Sequence, residues 1–318
     1  MATGDQLKSL IKSYFEGDKD RFVTTTLQVA AHEARQGHSA LARDIRNIVD
    51  KANTSKVKVI SFTPDLSDLI ITSEPKARLE ELVVFDELKE KINRIIKEYF
   101  QRAKLLKHGL SNRRKILLVG PPGTGKTMTA SILAHKLELP FCTIQVDKLI
   151  NKYMGETSAK LRQIFDIIQD KKGVFLFDEF DAIGAERNSD NDVGEMRRVL
   201  NSFLQFLEND ESESLIIAAT NNIGILDQAL FRRFDDILYY QLPNEEELIK
   251  IIDNCLGSYK GTFHTKNLIS EANNLSHAEI TQACYDAIKE VILNDKQKVT
   301  KNMLYNMIKD RKKVYKRD

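Results

Sequence analysis

The chain has 318 residues, 42% hydrophobic and 30% charged, enough apolar material for one or two packed domains. A net charge of only +2 leaves no global field to mark it for nucleic acid or for an anionic membrane surface. Its three cysteines, Cys142, Cys255 and Cys284, are far apart with neither metal-ligand nor redox spacing, so reduced, buried thiols of a cytosolic protein are expected rather than a zinc site or a disulfide.

In chain order, the N-terminal residues lack the apolar core and cleavage site of a secretion signal. No apolar run approaches the roughly 18 residues that a membrane span needs. A cytoplasmic protein with no membrane partner is the expectation. Residues 1–51 read as a small helical module, with Leu7, Leu10, Ile11 and Tyr14 on one face and Leu41, Ile45 and Ile48 on another. Gly17 and Gly37 punctuate it, and Ser39 is a candidate cap. "HEARQ" at 32–36 begins like a zinc-protease motif, but Gln36 stands where the second His belongs.

Residues 52–80 are rich in Ser and Thr and hold two prolines; they read as a linker with a short strand at 57–62. Residues 81–243 alternate. A helix over 86–107 is followed by apolar runs at 115–120, 141–146, 173–180, 214–220 and 236–242, most of them separated by helical stretches. Short continuous apolar runs between helices imply a parallel five-stranded sheet flanked by helices on both faces, an α/β fold. Residues 244–318 read as an all-helical subdomain ending in a basic, solvated tail.

The strongest motif is "GPPGTGKT" at 120–127, between an apolar run and a helical stretch. Strand, glycine-rich loop and helix are the context in which G-x-x-x-x-G-K-[ST] cradles phosphates. The glycines let backbone N–H groups converge, and the helix N-terminus adds its positive end. Lys126 is expected to reach the β- and γ-phosphates, and the Thr127 hydroxyl to ligate Mg²⁺. "VFLFDEFD" at 174–181 supplies the acidic half. Asp178 would hold Mg²⁺ directly or through water, and Glu179 would orient and deprotonate the attacking water. Asn221, in "AATNN", would bond that water or the γ-phosphate; alone it would read as a turn residue. Arg232 and Arg233 read either as solvated charges or as an arginine finger that neutralises transition-state charge.

Taken together these motifs resemble an AAA+ ATPase of the classical AAA clade, over roughly residues 81–293. "GPPGTGKT" is similar to Walker A, "VFLFDEFDAIG" to Walker B, "ATNN" to sensor 1 and "LDQALFRRFD" to the arginine-finger segment. The resemblance implies a P-loop NTPase with a helical lid, ATP and Mg²⁺ as ligands, and a ring, usually a hexamer. In that ring Arg232 and Arg233 act on the neighbour's nucleotide. It implies that Gly120, Pro121, Pro122, Gly123, Thr124, Gly125, Lys126, Thr127 and Met128 form the nucleotide loop. Val83 and Val84 fall where the family contacts adenine. Lys152, Tyr153, Met154 and Gly155, in "NKYMGE", resemble pore loop 1, in which the aromatic grips a threaded polypeptide. Ala278 matches the family's Gly-Ala pair; His277 stands in place of the Gly and is expected to face solvent. The implied function is ATP-driven threading or remodelling of a protein. The alternative is an ATP-gated assembly that controls a protein effector, such as a separately encoded protease, through the N-terminal helices. Action on nucleic acid is not expected. A short helical module before one AAA unit is similar to the arrangement of small bacterial AAA proteins and of microtubule-severing enzymes.

Overall fold

The computed structural model describes residues 4–15, 19–54, 64–152, 155–183, 190–222, 224 and 231–314. The chain divides into two compact units, residues 1–59 and 60–318.

The first unit is three helices, α1 (Gly4–Phe15), α2 (Lys19–Arg35) and α3 (Ser39–Thr54). Gly37 at φ +86° makes the left-handed turn between α2 and α3. The Glu33 carboxylate and His38 Nδ1 are 2.7 Å apart across that turn, which pulls the Glu33 pKa down. The core is thin. Val29, Ala30, Ala42 and Val49 are buried, whereas Leu7, Ile11, Tyr14, Leu41 and Ile48 stay exposed.

The second unit opens with a short helix, α4 (Pro64–Ser67), and a strand, β1 (Ile70–Ser73). Five parallel strands follow: β2 (Lys115–Val119), β3 (Phe141–Gln145), β4 (Val174–Asp178), β5 (Leu215–Thr220) and β6 (Asp236–Tyr239). The sheet order is β1-β3-β4-β5-β2-β6. The parallel sheet is as expected; the sixth strand, β1, adds antiparallel at the edge, with Ile70 opposite Ile144 and Ser73 opposite Phe141. It lies in the presumed linker, where four residues among Ser, Thr and Pro carry little strand signal. The strand expected at 57–62 falls outside the described residues.

Residues along each strand alternate between two cores, which is why both faces must be apolar. Phe175, Phe177, Ile216 and Ala218 pack beneath α9 (Thr157–Asp170) and α10 (Asp190–Asn209). Val174, Leu176, Ile217 and Ala219 pack on the other face beneath α5 (Asp86–Phe100) and α7 (Lys126–Leu137). The first core holds a phenylalanine cluster centred on Phe203, 4.6 Å from Phe180 and 5.0 Å from Phe177 between ring centroids. The helix expected over 86–107 breaks at Gln101, beyond which a short α6 (Arg102–Leu106) follows; α8 (Val146–Lys152) connects β3 to the stretch before α9.

The lid is α11 (Glu245–Leu256), α12 (Ile269–Ala272), α13 (His277–Leu293) and α14 (Lys301–Val314), around a third core that includes Leu248, Ile252, Ile280 and Leu304. Capping boxes start α11, through Asn244 and Glu247, and α13, through Ser276 and Glu279. The basic terminal segment is not a free tail as far as residue 314. It forms the end of α14, where Arg311 donates to Asp286 Oδ2 (2.6 Å) and Lys312 to the Glu271 carbonyl (3.0 Å). Acidic partners on the lid recruit it.

Candidate active site

The sheet order sets β4, β5 and β2 side by side, so their C-terminal ends open into one crevice. β2 turns at Gly120, where φ is +151° and a Cβ would stand 2.4 Å from the Tyr240 carbonyl oxygen. Only glycine lets the chain after β6 pass this close. Tyr240 N donates to Val119 O (2.6 Å), and its hydroxyl donates to Thr129 Oγ1 (2.7 Å). Burial pushes that phenol well above its ordinary pKa, so it remains a donor that ties α7 to β6. Gly123 is the second fixed glycine. At φ +71°, a Cβ would meet Ser276 Oγ at 2.6 Å. The lid packs directly on the phosphate loop there, and Ala278 N donates to Gly123 O (3.0 Å).

Lys126 folds inside the loop it follows. Its Nζ donates to Gly120 O (2.6 Å), Pro121 O (2.8 Å) and Asn221 Oδ1 (2.9 Å). Burial lowers its pKa, opposed by Asp178 and Asp181. Thr127 Oγ1 donates to Asp178 Oδ2 (3.0 Å), and Asp178 Oδ1 accepts from Glu179 N (3.0 Å). Glu179 holds φ +52°. That left-handed backbone costs a non-glycine residue about 1 kcal/mol or more, the kind of strain that gathers at functional sites. Asn221 is held from behind, its N–H donating to Asp181 Oδ1 (3.1 Å).

Two cavities flank this arrangement. One of about 540 Å³ is walled by Lys126, Thr127, Asp178, Glu179, Asn221 and lid residues including Ala278. The other, of about 450 Å³, is walled by Val83, Asn254, Cys255 and Tyr285 among others. Gly125, Met128, His277 and Thr281 belong to both walls. The two therefore adjoin as one cleft, with a charged, lysine-bearing end and an end lined by Val83, Cys255 and Tyr285. The donor set fits a magnesium ion carried in on phosphates. A hydroxyl and a carboxylate oxygen lie 3.0 Å apart. No group of three His, Cys, Asp or Glu able to hold a metal occurs among the described residues. Mg²⁺ characteristically takes one or two protein oxygens and fills its shell with phosphates and water.

The other motif residues divide. Val83 lines the end away from Lys126, but Val84 packs on the α5–α7 core and is in neither cavity wall. Arg232 and Arg233 line neither cavity. Arg233 Nε donates to Glu208 Oε2 (3.1 Å), whereas Arg232 is exposed and unpaired among the described residues. Lys152 ends α8 and Gly155 is exposed at φ +88°. Tyr153 and Met154 lie outside the described residues.

His277 corrects an expectation. It does not face open solvent. The capping box that starts α13 roots it against the phosphate loop, in both cavity walls. Burial pushes its pKa below the ordinary histidine value, an effect the nearby Val83 backbone opposes. Neither ring nitrogen is within good hydrogen-bond geometry of a partner, although both are covered.

Sequence reasoning passed over Thr281 and Tyr285, which line the cleft with His277 at i, i+4 and i+8 on α13. That spacing was readable, but which face meets a ligand was not. It also passed over the spatial pairing of Cys255 with Cys284, from α11 and α13. The Cys284 thiol donates to Cys255 and holds the Cys255 pKa below the ordinary thiol value. Cys284 itself is pushed up by this bond and by burial.

A family profile described as "ATPase family associated with various cellular activities (AAA)" matches residues 116–242. An uncharacterized AAA family ATPase of Sinorhizobium fredii is 30% identical over 317 residues, covering 98% of this chain and 96% of that protein. A proteasome-activating nucleotidase of Methanoregula boonei is 33% identical over 228 residues, 67% of this chain and 52% of its own length. A 26S proteasome regulatory subunit 8 homolog of Encephalitozoon cuniculi is 30% identical over 249 residues, 75% of this chain and 63% of its own length. The chain belongs to the AAA family of ATPases. It spans about half the length of the nucleotidase it matches, at 52%.

Proposed function

We propose that the protein is a ring-forming Mg²⁺-dependent ATP hydrolase whose turnover threads or remodels a protein substrate.

 The observation that carries this reading is the convergence of Lys126, Thr127, Asp178 and Asn221 at the open ends of three adjacent strands, with Glu179 beside them in the same cavity wall. A pure nucleotide switch has no need of Glu179. In this reading the loop N–H groups and Lys126 hold the β- and γ-phosphates. Thr127 and Asp178 would hold Mg²⁺, which would supply positive charge to the phosphate oxygens. Glu179 takes the proton of the attacking water, and Asn221 orients that water or the γ-phosphate. Arg232 and Arg233, outside their own cleft, serve the cleft of the neighbouring subunit, which makes a ring, of six subunits in this family's usual form, a requirement for turnover.

The proteasome-activating name of one relative and the proteasomal name of another support a protein substrate. In this reading Tyr153 and Met154 grip it, with Lys152 and Gly155 shaping the loop. No described helix is long and apolar enough to cross a membrane, and a cytoplasmic location fits the reduced cysteines. The test is retention of an unfolded protein. Glu179→Gln loaded with ATP and Mg²⁺ should carry casein through gel filtration, and adding Tyr153→Ala should release it. Casein retained by the double variant would contradict threading. Failure of Glu179→Gln to bind ATP would contradict the site itself.

The exposed apolar residues of α1 and α3 favour a second reading, in which ATP gates the binding of one effector protein through the first unit. Removal of residues 1–51 would then abolish effector binding and spare hydrolysis.

A further inference from the structure

We propose that His277 reads the ribose hydroxyls of the bound nucleotide and makes the cleft selective for ribonucleotides over deoxyribonucleotides. The inference rests on the reading that ATP occupies this cleft. A nucleoside triphosphate has a fixed order of base, sugar and phosphates. With the phosphates at Lys126 and Thr127, the base extends toward Val83 and Tyr285, and the sugar crosses the wall that the two cavities share. His277 is in that shared wall.

Three observations give the imidazole this task. Its position is fixed, because Ser276 caps α13 while Ala278 N bonds Gly123 O, so the first residue of the helix is held against the phosphate loop. Its ring nitrogens are covered, and neither makes a well-formed hydrogen bond, the Val83 backbone being near but poorly aligned. Covered polar nitrogens without partners are costly, and a ligand that supplies partners relieves that cost. Burial also favours the neutral ring. A neutral imidazole carries one donor and one acceptor, which complements a vicinal diol whose hydroxyls each donate and accept. The Val83 backbone lies beside the ring, so the nitrogens meet the sugar once the side chain turns toward the ligand. Thr281, one turn further along α13, brings a side-chain hydroxyl to the shared wall, but its Oγ1 already accepts from Cys255 Sγ at 3.7 Å.

The experiment is calorimetric titration of the full chain, on a Glu179→Gln background with Mg²⁺, using ATP, 2′-deoxyATP and 3′-deoxyATP. With His277 present, at least one deoxy analogue should bind about 5- to 10-fold more weakly than ATP, the value of one net hydrogen bond. His277→Ala should bring the three nucleotides to similar affinities, and His277→Asn should retain part of the difference. Equal affinities with His277 present, or an undiminished preference for ATP in His277→Ala, would overturn the inference and leave the cleft intact as an ATP site. Absence of any ATP binding with His277 present would overturn the cleft reading and this inference with it. The ratio measured with His277 in place is decisive even if a variant folds poorly.

Discussion

The three-helix unit and the α/β unit draw on the same apolar residue types and spend them differently. In the α/β unit, each strand buries side chains on both faces and the lid adds a third core. In the helical unit, Val29, Ala30, Ala42 and Val49 are buried, while Leu7 is 51%, Ile11 57%, Tyr14 71% and Ile48 67% exposed. The difference separates two jobs. A deep two-sided core holds strand ends rigid enough to align a lysine, a hydroxyl, two carboxylates and an asparagine. A thin core with apolar residues left outside suits a surface made for contact.

The comparison is most easily broken at Phe203, the centre of the phenylalanine cluster and fully buried. Phe203→Ala should cost about 3–5 kcal/mol of stability in urea denaturation. A loss below 1 kcal/mol would mean that the cluster does not anchor the sheet. An intermediate effect is expected at the Cys255 end of the cleft. Cys255, its pKa held below the ordinary thiol value by Cys284, should reach its half-maximal alkylation rate at a lower pH than a free thiol such as glutathione. Cys142, pushed up to about 11 by burial, should stay unlabelled over the same range. ATP should protect Cys255, which lines the cavity; labelling indifferent to ATP would place the base elsewhere. The smallest effect should come from the helical unit. Replacing Leu7 and Ile11 by Ser should shift stability by no more than about 0.5 kcal/mol each, as at other exposed positions. A cost of several kcal/mol would show that these side chains are packed, and the contrast between the units would fall.

Much of the cleft was legible because its residues are dictated locally. Gly120 and Gly123 are required where β6 and the lid approach the loop, and Lys126 and Thr127 follow at the helix start. The five parallel strands announced themselves as apolar runs because each is covered on both faces. What escaped depends on contacts between distant segments. β1 becomes a strand only because β3 offers it an edge. Cys255 and Cys284 meet only because α11 packs on α13. Arg311 and Lys312 are drawn onto the lid only because Asp286 and Glu271 receive them. His277 looked like a surface residue at a helix start, and only the fold of the lid onto the loop turns it into the cleft.

The central claim is a cleft completed by a neighbouring subunit's arginines, and mixing two inactive proteins tests it most directly. Glu179→Gln keeps its arginines and lacks the base. A chain carrying Arg232→Ala and Arg233→Ala keeps the base and lacks the arginines, whose loss should cost roughly 10³- to 10⁵-fold in rate. Each alone should hydrolyse ATP negligibly. Mixed under conditions where sedimentation shows co-assembly, they should recover a clear fraction of the wild-type rate, because some clefts then pair an intact Glu179 with intact arginines across an interface. Co-assembly without any recovery would contradict the account.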